Sequence, residues 1–287
     1  MSNFSKLQDS LARIDSLPAM PAIAQKLLTL PLDTYQGEAE MLKLIAQDPQ
    51  ISAKIIGLSN TSLFFAPGKI TSVSDAAMRL GLNRVKSVAI GISTMSALAK
   101  LPEGKLSTTD LWAHSMAIAM SMRVIAKHMP VRVRPSDDQI FLAGLLHDIG
   151  YMALSYLDTN LSDSLHARLE AESDSSLLEI ENEVLGIQHG EIGAILGTHW
   201  HLPDEVIAVM RYHHTPDEPK AAVSQPLVSM VNYAERILSA FGVAENTAKE
   251  MTDEEWMGIG VDPSKAETIQ EEILEVADQA KQLASSS

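Results

Sequence analysis

Apolar positions recur every three or four residues along most of the chain, which is the period of a helix with one buried face. Asp48-Pro49 is a capping residue followed by the residue best suited to a first helical turn. Beyond it Ile51, Ile55, Ile56 and Leu58 share a face, and Asn60 lies near the stop. Ser74-Asp75 opens a short helix that Gly81 ends. Asn83 opens a longer one, with Val85, Val88, Ala89, Ile92, Met95 and Leu98 in helical register. From Asp110 to about Met129 the pattern changes, because Leu111, Trp112, Met116, Ile118, Met120, Val124 and Ile125 cover nearly every side. A helix apolar all round is expected in a core. The segment Gln139-Ile140-Phe141-Leu142-Ala143-Gly144-Leu145-Leu146 is a second buried run. Ser176-Leu177-Leu178-Glu179 reads as a capping box whose helix closes at Gly186. Further helices are predicted at about 190–200, 203–214 and 226–241. No segment alternates as a strand does, so the fold class is all-α.

Leu101-Pro102-Glu103-Gly104-Lys105 reads as a linker. It divides the chain into a helical subdomain at 1–105, a second at 106–242 and an extension at 243–287. The extension is acidic, with 11 acidic and 3 basic side chains in the last 44 residues. Ile269, Ile273, Val276, Ala280 and Leu283 nevertheless mark one face of a helix there, expected to pack on the domain. The alternative is a partner-binding helix. Ala284-Ser285-Ser286-Ser287 is expected to fray.

Charge and composition narrow the possibilities. Apolar residues make up 46% of the 287, enough for a sizeable core. With 22 basic and 37 acidic side chains the net charge is −15, which speaks against a nucleic-acid backbone or an anionic membrane as partner. Arg123, Lys127, Arg132 and Arg134 form the one basic cluster, read as solvated surface. The absence of cysteine removes disulfides, thiolate metal sites and cysteine nucleophiles. No signal peptide and no membrane-spanning run is apparent, so a cytoplasmic protein is expected.

The nine histidines all lie between positions 114 and 214. Asp110 and His114 are one helical turn apart and could share a metal ion. The alternative is a capping aspartate with a hydrogen-bonded core histidine. His147-Asp148 ends an apolar run. A buried carboxylate there needs a cation or a histidinium, although a C-terminal histidine favoured by the helix dipole is the other reading. His189 lies at a helix start, and His213-His214 end a helix. His199 and His201 flank Trp200 as surface or packing residues.

Taken in order, these segments resemble the HD superfamily of metal-dependent phosphohydrolases, and more closely its HDOD branch. The likeness spans about residues 10–240. It is carried by Leu17-Pro18-Ala19-Met20-Pro21, Asp48-Pro49-Gln50-Ile51-Ser52, Leu58-Ser59-Asn60, Ile70-Thr71-Ser72-Val73 and Leu80-Gly81. It continues through Leu111-Trp112-Ala113-His114-Ser115, Ala143-Gly144-Leu145-Leu146-His147-Asp148-Ile149-Gly150, Leu185-Gly186 with His189, Trp200 with Leu202-Pro203, and His213-His214. The resemblance implies an N-terminal helical subdomain packed on an HD-like helical bundle, with His114, His147, Asp148, His189, His213 and His214 in metal-ligand positions. Asp110 stands in the place of an additional acidic ligand of the related HD-GYP phosphodiesterases.

Three departures from the catalytic relatives bear on activity. Asn232 stands where a late aspartate ligand is expected, and Tyr151 replaces a lysine that would face phosphate. The Gly-Tyr-Pro signature is also absent after His213-His214. The reading favoured by the resemblance is a bacterial signalling module that acts through contacts with signalling proteins and keeps a degenerate or partly retained metal site. The alternative is a metal-dependent phosphohydrolase acting on a nucleotide or phosphodiester. Iron, manganese or zinc would suit the mixed imidazole and carboxylate set, and a phosphate-containing small ligand is a further expectation.

Overall fold

The computed structural model describes residues 7, 11, 17–64, 68–98 and 104–285. Among these it contains fifteen α-helices and no strand, as the periodicity predicts. The first group comprises α1 (Ala22–Thr29), α2 (Tyr35–Ala46), α3 (Pro49–Ser59), α4 (Val73–Leu80) and α5 (Leu82–Leu98). Asp48 caps α3 as expected, its carboxylate accepting from the Gln50 and Ile51 amides at 3.0 Å. Helix α4 starts earlier than the sequence reading placed it. Its cap is Ser72, whose hydroxyl accepts from the Asp75 amide at 3.1 Å and donates to the Asp75 carboxylate at 2.7 Å. The linker expected at 101–105 falls partly on residues 101–103, which lie outside the described residues.

The second group comprises α6 (Thr108–Lys127), α7 (Asp137–Leu146), α8 (Ile149–Leu157), α9 (Thr159–Ala171), α10 (Leu177–Val184), α11 (His189–His199), α12 (Asp204–Tyr212) and α13 (Leu227–Ile237). Helix α6 is capped by Ser107 rather than Asp110, whose amide donates to the Ser107 hydroxyl at 3.1 Å. Between Leu111 and Ala126 every residue of α6 except Arg123 is buried, because α7, α13 and the last helix all pack on it. The capping box predicted at Ser176 does not form, and α10 begins there with no side-chain cap.

Two glycines let helices meet where chemistry-bearing residues sit. Gly144 of α7 lies against the α6 backbone, where an added Cβ would come within 2.6 Å of the Ala119 Cα. Gly150 of α8 lies against the start of α11, and a Cβ there would overlap the His189 carbonyl oxygen. His147 and Asp148 fall between these two contacts. The run Asp137–Leu157 that contains them is long and apolar enough to span a membrane by composition, with a mean hydropathy of 1.4. The sequence reading expected no such run. Here 83% of its most apolar 18-residue window is buried inside the protein, and the run is broken into α7 and α8 at His147-Asp148.

The two groups share one continuous apolar core. Helix α5 packs on both α1 and α7. The indole N–H of Trp200 donates to the Pro18 carbonyl at 2.8 Å, tying the first described segment to the second group. The chain ends with α14 (Asp253–Gly258) and α15 (Ala266–Ser285). Helix α14 was not foreseen. A reciprocal Thr252–Glu255 cap starts it, and its Trp256 is buried edge-on against Tyr233. Helix α15 buries Ile269, Ile273, Val276 and Ala280 along α6, so its apolar stripe is used within the fold. It also reaches the first group, where the Gln279 amide donates to the Ser62 hydroxyl at 2.7 Å. The expected fraying does not include Ala284, which is buried in α15, while Ser286 and Ser287 lie outside the described residues.

This packing predicts that Ile273→Ala lowers stability by about 2–5 kcal/mol, the cost of emptying a closed core site. Leu274→Ala, one residue along on the exposed face, changes it by less than about 0.5 kcal/mol. Urea unfolding of the two variants checks the pair.

Candidate metal centre

The chain break between α7 and α8 delivers His147 and Asp148 to the middle of the second group. Helix α6 brings His114, the start of α11 brings His189, and the end of α12 brings His213 and His214. Their reactive atoms converge. Asp148 Oδ2 lies 3.3 Å from both His114 Nε2 and His147 Nε2. Asp148 Oδ1 lies 3.3 Å from His189 Nε2 and 3.4 Å from His213 Nε2. One carboxylate thus faces two pairs of imidazoles, one pair per oxygen. Within the pairs, the Nε2 atoms of His114 and His147 are 3.2 Å apart, and those of His189 and His213 are 3.1 Å apart.

The far side of each ring determines what these short separations mean. His114 Nδ1 meets the Phe241 carbonyl at 2.7 Å, and His147 Nδ1 meets the Gly144 carbonyl at 2.8 Å. His213 Nδ1 meets the Met210 carbonyl at 2.9 Å, and His189 Nδ1 meets the Glu181 carboxylate at 2.6 Å. Carbonyls and carboxylates only accept, so each Nδ1 carries the hydrogen, and each neutral ring turns its Nε2 lone pair inward. Two lone pairs at this distance repel unless positive charge lies between them. Ligands about 2.1 Å from one ion, at octahedral to tetrahedral angles, stand roughly 3.0–3.4 Å from one another. The observed spacings fall in that range.

Three further carboxylates belong to the site, and the sequence reading missed them. Glu235 Oε1 is 3.2 Å from His147 Nε2, and its Oε2 is 3.4 Å from His214 Nδ1. Glu245 Oε2 is 3.5 Å from His214 Nε2, and its other oxygen accepts from the Tyr151 hydroxyl. Glu181 orients His189 from outside. Asn232, read as standing where the late carboxylate belongs, instead donates from its amide to the His213 carbonyl at 2.8 Å. The late carboxylate comes from Glu235, about one turn further along α13. Asp110 does not join the cluster, because it is exposed on the first turn of α6, a full turn from His114. The sequence signal for Glu235 was a charge inside the otherwise apolar face of α13. Glu245 follows a loop and had no such signal.

The cluster is buried and its acceptors are unsatisfied. Both Asp148 oxygens, both Glu235 oxygens, Glu245 Oε2 and His214 Nε2 are buried without a hydrogen-bond partner. An orphaned buried carboxylate is costly, and a cation removes the cost. Without an ion, protons take that place. Burial opposes the His147 imidazolium, but Asp148 and then Glu235 outweigh it and hold its pKa up to about 10. Burial likewise opposes His189, while Glu181 and Asp148 raise it well above its ordinary value. Burial would raise Asp148, yet His147 and the neighbouring imidazoles hold it well below the usual carboxylate range. Glu235 is pressed down to about 2, against its burial, by His214 and His213. Among the described residues, three groups of four side chains are placed to hold an ion. They are His114, His147, Asp148 and Glu235; Asp148, His189, His213 and His214; and Asp148, His214, Glu235 and Glu245.

Tyr151, in the place of the expected lysine, stacks on His189 with ring centroids 4.2 Å apart. Its other neighbour is buried His166, 5.2 Å away, whose Nε2 has no partner. His199 is half-buried and His201 exposed, both apart from the cluster. The basic residues noted in the sequence are largely engaged elsewhere. Arg123 pairs with Asp137 at 2.7 Å, Lys127 with Glu272 at 3.0 Å, and Arg134 donates to the Met129 carbonyl at 2.7 Å.

Comparison with known proteins agrees with the all-α fold. The model of the HDOD domain family matches residues 17–216. An uncharacterized protein of Treponema pallidum (strain Nichols) is 25% identical over 235 residues, which is 80% of this chain and 44% of that protein. This chain therefore spans less than half of that relative. A structure from Geobacter sulfurreducens, an HDOD domain protein with unknown function, is 23% identical, with a TM-score of 0.77 over 98% of both chains. A proposed signal transduction protein of Marinobacter aquaeolei VT8 is 25% identical, with a TM-score of 0.73 over 98% of this chain and 64% of that one.

The burial of His166 predicts an acid-sensitive support for the site. Burial pushes its pKa from 6.5 down to about 4. Between these values the unfolded chain binds the proton and the folded chain does not. Stability from this group is therefore full above about pH 6.5 and falls as pH drops towards 4, by on the order of 3 kcal/mol. Denaturant titrations at pH 7 and pH 5 should show the loss, and His166→Phe should flatten the difference between them.

Proposed function

The chain belongs to the HDOD domain family, and from that premise we propose that it is a signalling module built around a pair of bound divalent cations that share Asp148. His114, His147 and Glu235 would complete one position, and His189, His213 and His214 the other. Iron or manganese suits this set of imidazole and carboxylate donors, and zinc also fits. When bound, such ions neutralise the buried carboxylates and lock α6, α7, α8, α11, α12 and α13 to one point. The observation that carries the reading is the convergence of inward Nε2 lone pairs on an unsatisfied carboxylate, in a site where Asp148, His147 and Glu235 are at most 2% exposed. A centre so enclosed favours an ion that stabilises or switches a helical surface, which a partner signalling protein then reads.

A second reading, metal-dependent phosphohydrolysis of a nucleotide or phosphodiester, is favoured by one specific observation. With Glu235 present the acidic ligand is not missing, and a cavity of about 320 Å³ touches His214. A divalent ion would supply a low-pKa water and polarise a phosphoryl oxygen. Asp148 and the imidazoles would hold it, and Tyr151 leaves no cation at the position where the related phosphodiesterases carry lysine.

Purified protein loaded with Mn²⁺ or Fe²⁺ and desalted should retain close to two ions per chain by elemental analysis. His147→Ala and Asp148→Ala should each reduce this to one or fewer. Chromogenic phosphodiesters should not be turned over by the loaded protein. Turnover that disappears in Asp148→Ala would replace the signalling reading with the hydrolytic one, and failure to retain any ion would remove both.

A further inference from the structure

Glu245 differs from the rest of the cluster in how it arrives. The other inward-facing groups stand on helices or at helix ends, whereas Glu245 comes from the irregular segment 239–249 that follows α13. Its side chain is 3% exposed, yet one of its oxygens has no hydrogen-bond partner. Phe241, Val243 and Ala244 pack on the core, whereas the part that carries Glu245, residues 245–249, is held by hydrogen bonds, among them one from Arg236 to the Lys249 carbonyl at 3.0 Å and one from the Asn246 amide to the Ser173 carbonyl at 2.9 Å. The Ala240 amide donates to the Glu245 carbonyl at 2.7 Å. The Ser239 hydroxyl accepts from the amides of Thr247 and Ala248 at 2.9 and 3.0 Å. The Thr247 hydroxyl donates to the Glu235 carbonyl at 2.8 Å. Inside, the Tyr151 hydroxyl holds the Glu245 carboxylate.

On the outer side of this segment lies the cavity of about 320 Å³, lined in part by His214, Asn232, Arg236, Asn246, Thr247 and Lys249. His214 belongs to both spaces, facing Glu245 inward and the cavity outward, and at 10% side-chain exposure it is the most accessible of the cluster imidazoles. The segment therefore stands between the cavity and the centre. Charge indicates what could replace its carboxylate. Two divalent cations would bring four positive charges against the four buried carboxylates Asp148, Glu235, Glu245 and Glu181, the last paired with His189. Removing Glu245 leaves a buried surplus of positive charge, which calls for an anion, while the cavity beside it is mixed in charge, lined by Lys249 and Asp217 and by Arg236 paired with Glu255.

Resting on the metal-bound reading above, we propose that Glu245 is an internal occupant of an anion position at the centre. Segment 245–249 is then a strap whose withdrawal, with Phe241 and its hydrogen bond to His114 left in place, admits a tetrahedral oxyanion of the phosphate class through the cavity beside His214. Tyr151 positions the strap by holding the carboxylate in, which gives the residue in the place of the expected lysine a different task. Part of the binding energy of any phosphate is spent on displacing Glu245, so the intact chain binds it weakly.

The test uses the full chain, stripped with chelator and reloaded with Mn²⁺, as wild type, Glu245→Ala and Tyr151→Phe. Elemental analysis gives ion content, and Mn²⁺-induced broadening of the ³¹P resonance of inorganic phosphate gives binding. All three proteins should hold Mn²⁺, with phosphate bound about tenfold or more tightly by Glu245→Ala than by wild type and intermediately by Tyr151→Phe. Equal phosphate binding with equal Mn²⁺ content overturns the strap while leaving the metal centre standing. Loss of Mn²⁺ in Glu245→Ala alone makes Glu245 an obligatory ligand and also overturns it. Absence of Mn²⁺ from the wild type overturns the centre and the strap together. Should Glu245→Ala not fold, Tyr151→Phe decides, with tighter phosphate binding supporting the strap and unchanged binding overturning it.

Discussion

A buried carboxylate that makes no hydrogen bond is the constraint around which this fold is arranged. Asp148 sits fully enclosed at the junction of α7 and α8, with imidazole nitrogens 3.3–3.4 Å from its two oxygens. Taking such a charge out of water costs several kcal/mol even after relaxation, and only close positive charge offsets it. Much of the nearby architecture bears on that requirement. Gly144 and Gly150 allow helices to close on the site from both sides. Backbone carbonyls at 144, 210 and 241, with the Glu181 carboxylate, pin four rings so that each turns the same nitrogen inward.

The helices that bring these groups are held by ordinary packing. Helix α6 is buried nearly all round because α15 covers the side that would otherwise face solvent. The acidic C-terminal region is therefore part of the structural unit in two ways. Its last helix completes the core, and its first loop supplies both a partner for His114, at Phe241, and a carboxylate for the cluster, at Glu245.

Much of this was legible in the sequence, for identifiable reasons. Helical periodicity located α3, α5, α6, α7 and α15, because burial of one face repeats every three to four residues. The histidines and Asp148 stood out because each is a costly residue beside apolar neighbours. Glu235 was passed over for Asn232 because the two lie on the same face of α13, one turn apart, and one-dimensional spacing does not tell which of them reaches the cavity. Asp110 was drawn in for the same reason, at one turn from His114. In space that turn moves it outward to solvent. Glu245 was invisible because its position depends on the path of a loop, with Ala240 and Gly242 both at positive φ, and no periodic pattern encodes such a path. Helix starts were misplaced where neighbouring polar residues compete to cap, as with Ser72 against Ser74 and Ser107 against Asp110.

The central claim is that positive ions, rather than protons, fill the two spaces flanking Asp148. Anomalous diffraction from crystals of the Mn²⁺-loaded protein, collected on both sides of the manganese edge, tests it directly. The account predicts two separate peaks, one shared by His114, His147 and Glu235 and one by His189, His213 and His214, each next to a different oxygen of Asp148. A featureless anomalous map, with the same rings joined only by N–H···N hydrogen bonds, would contradict it.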